Sequence, residues 1–591
     1  MEPDRRFGRV HFVHRVNAAS VFIVGSVVAV DPLGLWPFGP LRWLVISTLG
    51  LVVWAICMRR PAAQLDRRTL GLWMLLLVFL ALGAMTNGDV WVAFVGSDTR
   101  HFGLFTWVLC WGLFCAGQQL RGCEAALRRG GTIAALLVGL WCAWEALIGP
   151  PIALGVNTSR LTGPFGSSAL LGAALCLLLP FAIAVAADSA EPRVWRVGAT
   201  IAGALGAVAI VGSGARAAWV GLLFAAIMVA WKVPSTRKAF AVAGGAVVAV
   251  MLLLLTVTSV GSVVERSHGT TSRLDEWSLA SRVIANHPML GVGPEGYRIA
   301  VSEAVDAEYE RAHPRDSVLP DRAHASLLDV ALAGGVAASA AYASLLVIIG
   351  RRAMRRLASG SMSHVALTAS LLAYFSAQLL LFPVSELDPI AWLLAGVVAA
   401  GTTPPRPRRA LVVHAKTAVA SVVVIVAIVA GVLDVAANRL AYDAVAASAD
   451  GNGVAAREVA TRATRLRPDS IAYRMIAVQV LLAADTVTAT DLALAQATDA
   501  LDWSRHDPIA VDLWASGLLQ RAVQTGDQVD GRSALAAWEV LVARDPSRAR
   551  WQLQLGRAAA VLGEVDIARE AWERAAALGS SQAEQLLKEL R

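Results

Sequence analysis

From about residue 16 to residue 437 the chain alternates apolar blocks with short connections rich in Arg, Lys, Gly and Pro. The blocks run to about 15–25 residues, which suits a hydrocarbon core ~30 Å thick crossed at ~1.5 Å per residue. The pattern predicts membrane helices at 16–30, 41–58, 69–86, 104–119, 131–148, 168–187, 197–212, 217–231, 239–260, 326–350, 363–382, 389–402 and 416–437. The first is short, and the pair within 197–231 has the form of a kinked or re-entrant element. Composition agrees: the chain is 56% hydrophobic and only 16% charged, where a soluble domain carries about 25% charged residues. A soluble core would have to cover many consecutive helices that are apolar on every side, so the soluble reading is set aside.

Charge then orients the helices. Arg5, Arg6, Arg9 and Arg15 precede a first apolar block without a small-residue cleavage site, so that block is expected to stay as a membrane segment with its N-terminus inside. Alternate connections hold Arg59/Arg60/Arg67/Arg68, Arg121/Arg128/Arg129, Arg193/Arg196, Lys232/Arg237/Lys238, Arg351/Arg352/Arg355/Arg356 and Arg406/Arg408/Arg409. These are the cytoplasmic ones by the positive-inside rule. The same distribution explains the net charge of +8 without a nucleic-acid partner. The short outer connections are nearly free of cations, with Arg42 at a helix edge, Arg100, Arg160 and Arg216 as exceptions. An arginine that defies the topological bias calls for an anionic partner on the outside.

One outer connection is long and polar, 261–325, and loops of that length in compact proteins are usually functional or disordered. Its residues 273–285 predict an amphipathic helix and 286–296 a turn shaped by Gly and Pro. No strand precedes those glycines and no Lys-Ser/Thr follows, so they do not form a nucleotide loop. The six cysteines fall in or beside membrane segments without disulfide or metal-site spacing. No Asp-x-Asp pair or other metal motif stands out, and neither a metal nor a cofactor is expected.

Beyond residue 437 the apolar blocks stop. Leu555-Gly556, Gly563, Ala568, Trp572 and Ala575 follow the small/large spacing of a tetratricopeptide unit, and Pro468, Pro508 and Pro546 mark earlier units 40 and 38 residues apart, longer than the usual ~34. The expected organisation is a membrane domain over 1–437, including the loop 261–325, and a repeat domain over 438–591 that lies outside the membrane and docks a protein partner.

Several outer segments carry a resemblance. They are Ser97-Asp98-Thr99-Arg100-His101-Phe102-Gly103-Leu104, Arg160-Leu161-Thr162-Gly163-Pro164-Phe165-Gly166, Gly212-Ser213-Gly214-Ala215-Arg216-Ala217-Ala218-Trp219, the stretch from Arg273 to Gly296, and Ala323-His324 with Gly335 eleven residues on. With Gln378, Phe382, Trp392 and Gly396, their order and side of the membrane resemble the O-antigen ligase/polymerase family, in the subgroup ending in tetratricopeptide repeats. Ala325, Ser167-Ser168-Ala169 and Ala338 depart from that family's pattern. The resemblance implies an all-α, polytopic helical bundle of about 12–13 membrane helices, GT-C-like, with an α-helical repeat domain. It also implies a bacterial inner-membrane enzyme that moves a glycan from a polyprenyl-diphosphate carrier to an acceptor hydroxyl on the extracytoplasmic face. The acceptor class stays open: a lipid, a protein, a wall polymer or a glycan.

Such a reaction leaves negative charge on the departing diphosphate, and arginine holds phosphate oxygens with paired hydrogen bonds at any pH. Arg160, Arg216 and Arg273 are therefore assigned to the diphosphate, with Arg100 as a fourth; Arg216 and Arg273 also stabilise the developing charge. His324, with an ordinary pKa near 6.5, is the candidate general base for the acceptor hydroxyl. His287, His268 and His313 read as structural or ordinary loop residues, and Tyr297 and Arg298 carry no assignment. In-line attack predicts inversion without a metal.

Three alternatives remain open. A polysaccharide polymerase would share the donor chemistry. A transferase using polyprenyl-monophosphate sugars would lean on an acidic residue in the first outer loop, where Asp31 sits. An export scaffold or transporter would place ionisable groups near helix centres, whereas Glu145 and Asp329 sit near helix ends.

Overall fold

The computed structural model describes residues 3–59, 64–86, 88–152, 160–232, 260–313, 320–401 and 410–590; side chains are described from Val13 onward in the first helix, from Arg273 in the helix beginning at Val260, and from Ser421 in the helix beginning at Ala410. Among the described residues all regular structure is helical. The N-terminal part comprises α1 (Pro3–Val28), α2 (Pro40–Arg59), α3 (Arg67–Thr86), the short α4 (Val90–Val95), α5 (Leu104–Gly117), α6 (Glu124–Leu147), α7 (Ser168–Ala187), α8 (Arg193–Ser213) and α9 (Arg216–Lys232). Then follow α10 (Val260–Asn286), the short α11 (Tyr297–Ala300) and α12 (Ala307–Ala312), α13 (Ser326–Arg356), α14 (Met362–Gln378), α15 (Asp388–Ala399) and the long α16 (Ala410–Ala449).

Seven described helices are long and apolar enough to cross a membrane, and the whole is an all-helical, polytopic bundle. The thirteen spans expected from the blocks divide differently here. The segment 239–260 lies outside the described residues except for its last position, which opens α10. Helices α5 and α15 have only 14 and 12 residues, well short of the ~20 that match a bilayer. Helix α15 is buried along its whole length, so protein rather than lipid satisfies its ends and it has no thickness to match.

Helix α9 packs on α14, where a Cβ on Gly221 would stand 2.2 Å from the Ala373 carbonyl oxygen. Val229, near the far end of α9, clusters with Val365 and Ala369 near the start of α14, so the two helices run antiparallel. Close backbone approach of this kind is how helices associate when lipid offers no hydrophobic drive.

Helix α13 is broken where it was expected to run straight from 326 to 350. Gly334 (φ −147°, ψ 15°) and Gly335 (φ +78°, ψ 178°) leave helical geometry. The turn at 288–293 fills the break: the Val336 amide donates to the Pro288 carbonyl (2.9 Å) and the Val292 amide to the Leu332 carbonyl (2.7 Å). A Cβ at Gly335 would lie 2.2 Å from the Met289 carbonyl oxygen, so only glycine admits the turn. A half-helix, Ser326–Ala333, is thereby set off from the rest of α13.

Helix α16 runs 40 residues, straight through the expected domain boundary at 437. It leads into α17 (Gly453–Leu466), α18 (Ile471–Leu482), α19 (Val487–Trp503), α20 (Pro508–Thr525), α21 (Gln528–Arg544), α22 (Ala549–Val561), α23 (Val565–Ala577) and α24 (Ser581–Glu589). Pro468, Pro508 and Pro546 each stand just before or at the start of α18, α20 and α22. Between α22 and α23, Gly556 lets the backbone pass against Trp572, whose indole would be 2.4 Å from a Cβ there. The Trp572 ring N–H donates to the Leu553 carbonyl (3.2 Å).

Candidate active site

The turn leading into α13 is tied down by its own helix. The carboxylate of Asp329 accepts the amide N–H groups of Ala323 (2.9 Å) and Ala325 (3.2 Å), which caps the half-helix and closes the backbone around the residue between them. That residue is His324, held at φ +53°, a left-handed conformation that is costly for a residue with a side chain. On the other side, Arg322 forms a buried ion pair with Glu295, itself at φ +62° in the 288–296 turn. The turn that plugs the broken helix thus also anchors the histidine loop.

Around His324 the long-range neighbours are basic and aromatic. Its ring meets Phe382 edge-on at 5.1 Å between centroids, and the Arg100 guanidinium covers the same Phe382 ring at 4.7 Å. Arg100 Nε pairs with Asp321 at 2.9 Å. Arg273 donates through Nη1 to the Leu380 carbonyl (3.0 Å). Burial, followed by the Arg273 charge, holds the His324 imidazole down at about 4, with Asp321 opposing. Although burial works the other way, Arg100 and Arg322 keep the Asp321 carboxyl below the usual carboxylate range. His324 Nδ1 is buried with no hydrogen-bond partner among the described residues. At neutral pH the imidazole is therefore uncharged and able to take a proton.

Arg160 and Arg216 form a second pair of arginines. Arg160 Nε donates to the Ser213 carbonyl (2.7 Å), beside Gly214, whose φ of +57° turns the chain from α8 into α9. Arg216 opens α9 two residues later and is exposed. The segment after Arg160 is bracketed: Glu145 accepts from the Thr162 amide (2.8 Å), the Thr162 hydroxyl (3.0 Å) and the Gly163 amide (2.8 Å). From α2, the buried Arg42 donates to the Pro164 carbonyl and lies 4.6 Å over the Phe165 ring. Glu145 and Arg42 thus act as struts for this loop.

The α9 helix that begins at Arg216 and the loop that Arg273 binds are both placed by α14. Gly221 packs against Ala373 and Ala377, and Arg216 lies five residues, about 7.5 Å, further along α9. Since the helices are antiparallel, the start of α9 that carries Arg216 lies at the C-terminal end of α14, the end that leads to the Leu380 carbonyl bound by Arg273.

Other residues singled out from the sequence have different settings. Asp31 is fully buried and paired with Arg439 on α16 (3.0 Å). Arg298 grips Asp507 with both terminal nitrogens. His287 contacts Glu303 (3.1 Å), and His313 stacks on Tyr309 at 4.6 Å. The side chain of His268 lies outside the described residues. Among the described residues no group of three His, Cys, Asp or Glu could hold a metal ion. The roles of Asp321, Asp329, Glu295 and Phe382 were not assigned from sequence; the one visible hint was that the two aspartates flank His324 within five residues.

The C-terminal helices touch this same end of the bundle. Arg298 of α11 pairs with Asp507, and Glu310 of α12 is buried against Arg548 (3.6 Å). Ser504 donates to Asp89, and the Trp91 ring N–H to Asp469 (2.7 Å).

No curated protein matches the chain. Residues 201–343 match the family model described as O-Antigen ligase; that span includes Arg216, Arg273 and His324 and leaves Arg100 and Arg160 outside it. The chain is thus a polytopic helical protein with seven described helices able to cross a membrane, and across α8 to α13, where His324 sits, it is similar to the O-antigen ligase family.

Proposed function

We propose that the protein transfers a glycan from a polyprenyl-diphosphate carrier to an acceptor hydroxyl on the extracytoplasmic face of the bacterial inner membrane. The acceptor hydroxyl oxygen attacks the anomeric carbon from the side opposite the diphosphate. The bond from that carbon to the phosphate oxygen breaks, the electron pair leaves with the diphosphate, and the hydroxyl proton passes to the His324 imidazole. The sugar inverts. Arg273 and Arg216 meet the charge gathering on the leaving group, and Arg160 and Arg100 hold the donor's phosphates. Fixed guanidinium groups aimed at a developing charge are typically the largest contribution to such a barrier.

The observation that carries this reading is the placement of His324: a half-buried, uncharged imidazole whose backbone is held between two bonds to Asp329 and which is faced by Arg100 and Arg273. A base of this kind contributes roughly 10²–10⁴-fold. The domain assignment is part of the proposal: 1–437 as the membrane domain, and 438–591 as an extracytoplasmic, tetratricopeptide-like domain available to a protein partner. It is supported by the bonds from the C-terminal helices to the segments around residues 89–101 and 298–310, on the side read here as extracytoplasmic. The burial of Asp31 against Arg439 weighs against a monophosphate-donor mechanism built on that residue. Ligation and polymerisation share every step above and differ in the acceptor.

The test is the polyprenyl-linked glycan pool of a strain carrying His324→Ala. Accumulation of the diphosphate-linked glycan, with loss of the finished surface glycan, is expected. An unchanged pool and unchanged surface glycan contradict the enzyme reading.

A further inference from the structure

Arg100 lies on a short segment that the C-terminal helices hold from both sides. Asp98, two residues before it, has both carboxylate oxygens engaged: Oδ1 accepts from Arg467 Nη2 (3.1 Å) and Oδ2 from the Ser470 hydroxyl (2.7 Å). His101, one residue after it, is buried at φ +50° with its Nε2 3.0 Å from Asp434 of α16. The other oxygen of Asp434 accepts from Arg467. One guanidinium, in the turn between α17 and α18, therefore joins the two anchors that flank Arg100. Arg467 is itself set by two bonds to Asp469, each 2.9 Å, and although burial opposes it, these three aspartates keep it firmly protonated.

We infer that Arg467 is a positioning residue for the donor site, acting through Asp98 and His101 to fix Arg100 against Asp321 beside His324. The inference rests on the assignment of Arg100 to the donor diphosphate. It makes the first C-terminal helices a part of the site rather than an appendage. Other bonds between the C-terminal helices and the membrane part, such as Arg298 to Asp507, reach α11, α12, α4 and the connection between α1 and α2 and leave the Arg100 segment untouched. They supply the comparison. A purely docking role would make removal of either arginine equivalent, whereas a positioning role singles out Arg467.

The experiment measures KM for the lipid-linked donor and kcat in the full-length protein in proteoliposomes, for wild type, Arg467→Ala, Arg298→Ala, Arg100→Ala and the Arg467→Ala/Arg100→Ala pair. Arg467→Ala is expected to raise KM about tenfold, within the range of coupling between neighbouring residues, with Arg298→Ala near wild type. Once Arg100 is gone, the Arg467 substitution should add no further rise. Two results overturn the inference: a wild-type KM in Arg467→Ala, or rises that multiply in the pair. Should Arg467→Ala not fold, Asp98→Asn keeps the shape and loses the charge, and the same tenfold rise is required of it. No transfer by the wild-type protein would instead overturn the functional reading itself.

Discussion

Asp329 reaches back from the first turn of its own helix to accept two backbone N–H groups, and the residue caught between them is His324 at φ +53°. A strained conformation at one residue persists only where its surroundings over-determine it. Here one carboxylate supplies both bonds. Asp329→Asn keeps one acceptor oxygen and turns an NH₂ group toward an amide N–H, so the loop relaxes. Turnover should fall by about 10- to 100-fold, since a small misplacement of a catalytic group costs that much, while the donor KM stays near wild type. Steady-state kinetics of Asp329→Asn check this; a proportionate rise in KM would place Asp329 in donor binding instead.

Arg273 has two jobs in this account, and they separate. As a phosphate ligand its loss in Arg273→Ala should lower kcat/KM by about 10²–10³-fold. Lysine should restore only part of that, because it cannot reproduce the paired guanidinium bonds. As a neighbouring positive charge it depresses His324, so the same substitution should move the acidic limb of the pH profile upward. An Arg273→Lys enzyme with wild-type kcat/KM would argue against paired phosphate contacts.

The pH dependence has a definite sign. The folded pKa of His324 lies at about 4, below the ~6.5 of an exposed histidine. The base is therefore active above pH ~4, and kcat/KM should hold from pH 8 down to about 5 before it falls. Because the unfolded chain takes up this proton first, stability is also lost as pH falls from about 6.5 toward 4, and His324→Gln should remove that loss. A bound diphosphate offsets the charges of Arg273 and Arg100, so the limb in kcat should lie at higher pH than the limb in kcat/KM. A kcat/KM limb at 6.5 would contradict the half-buried, neutral imidazole.

The broken helix gives a stability prediction. Gly335→Ala adds a Cβ 2.2 Å from the Met289 carbonyl at a φ of +78°. It should expel the 288–293 turn and cost about 2–4 kcal/mol. Gly350→Ala, further along the same helix with nothing within 4 Å of the new Cβ, should be neutral. Thermal unfolding of both variants in detergent decides the point; equal melting temperatures would mean that the turn does not depend on the break.

The bundle is plain in the sequence, because block length follows from the thickness of a bilayer, and charge asymmetry is what draws attention to Arg100, Arg160 and Arg216. His324 stands out as an ionisable residue at a helix entrance. The break at Gly334–Gly335 does not, since it exists only because a turn some 45 residues earlier docks into it. The lengths of α5 and α15 are equally hidden: apolar runs cannot tell lipid from protein as a neighbour, and α15 is wholly buried. Asp98 and His101 read as ordinary parts of a motif until the chain returns more than 300 residues later with Asp434 and Arg467. Local patterns carry the helices. The supports of the candidate site are non-local.

The most direct measurement uses purified protein in proteoliposomes supplied with a defined glycan on polyprenyl diphosphate, and in parallel with a sugar on polyprenyl monophosphate, each with a hydroxyl acceptor. The account predicts glycan transfer with inverted anomeric configuration from the diphosphate donor alone, with release of free polyprenyl diphosphate, and its loss in both His324→Ala and Arg273→Ala. Transfer from the monophosphate donor, or undiminished transfer by either variant, would contradict it.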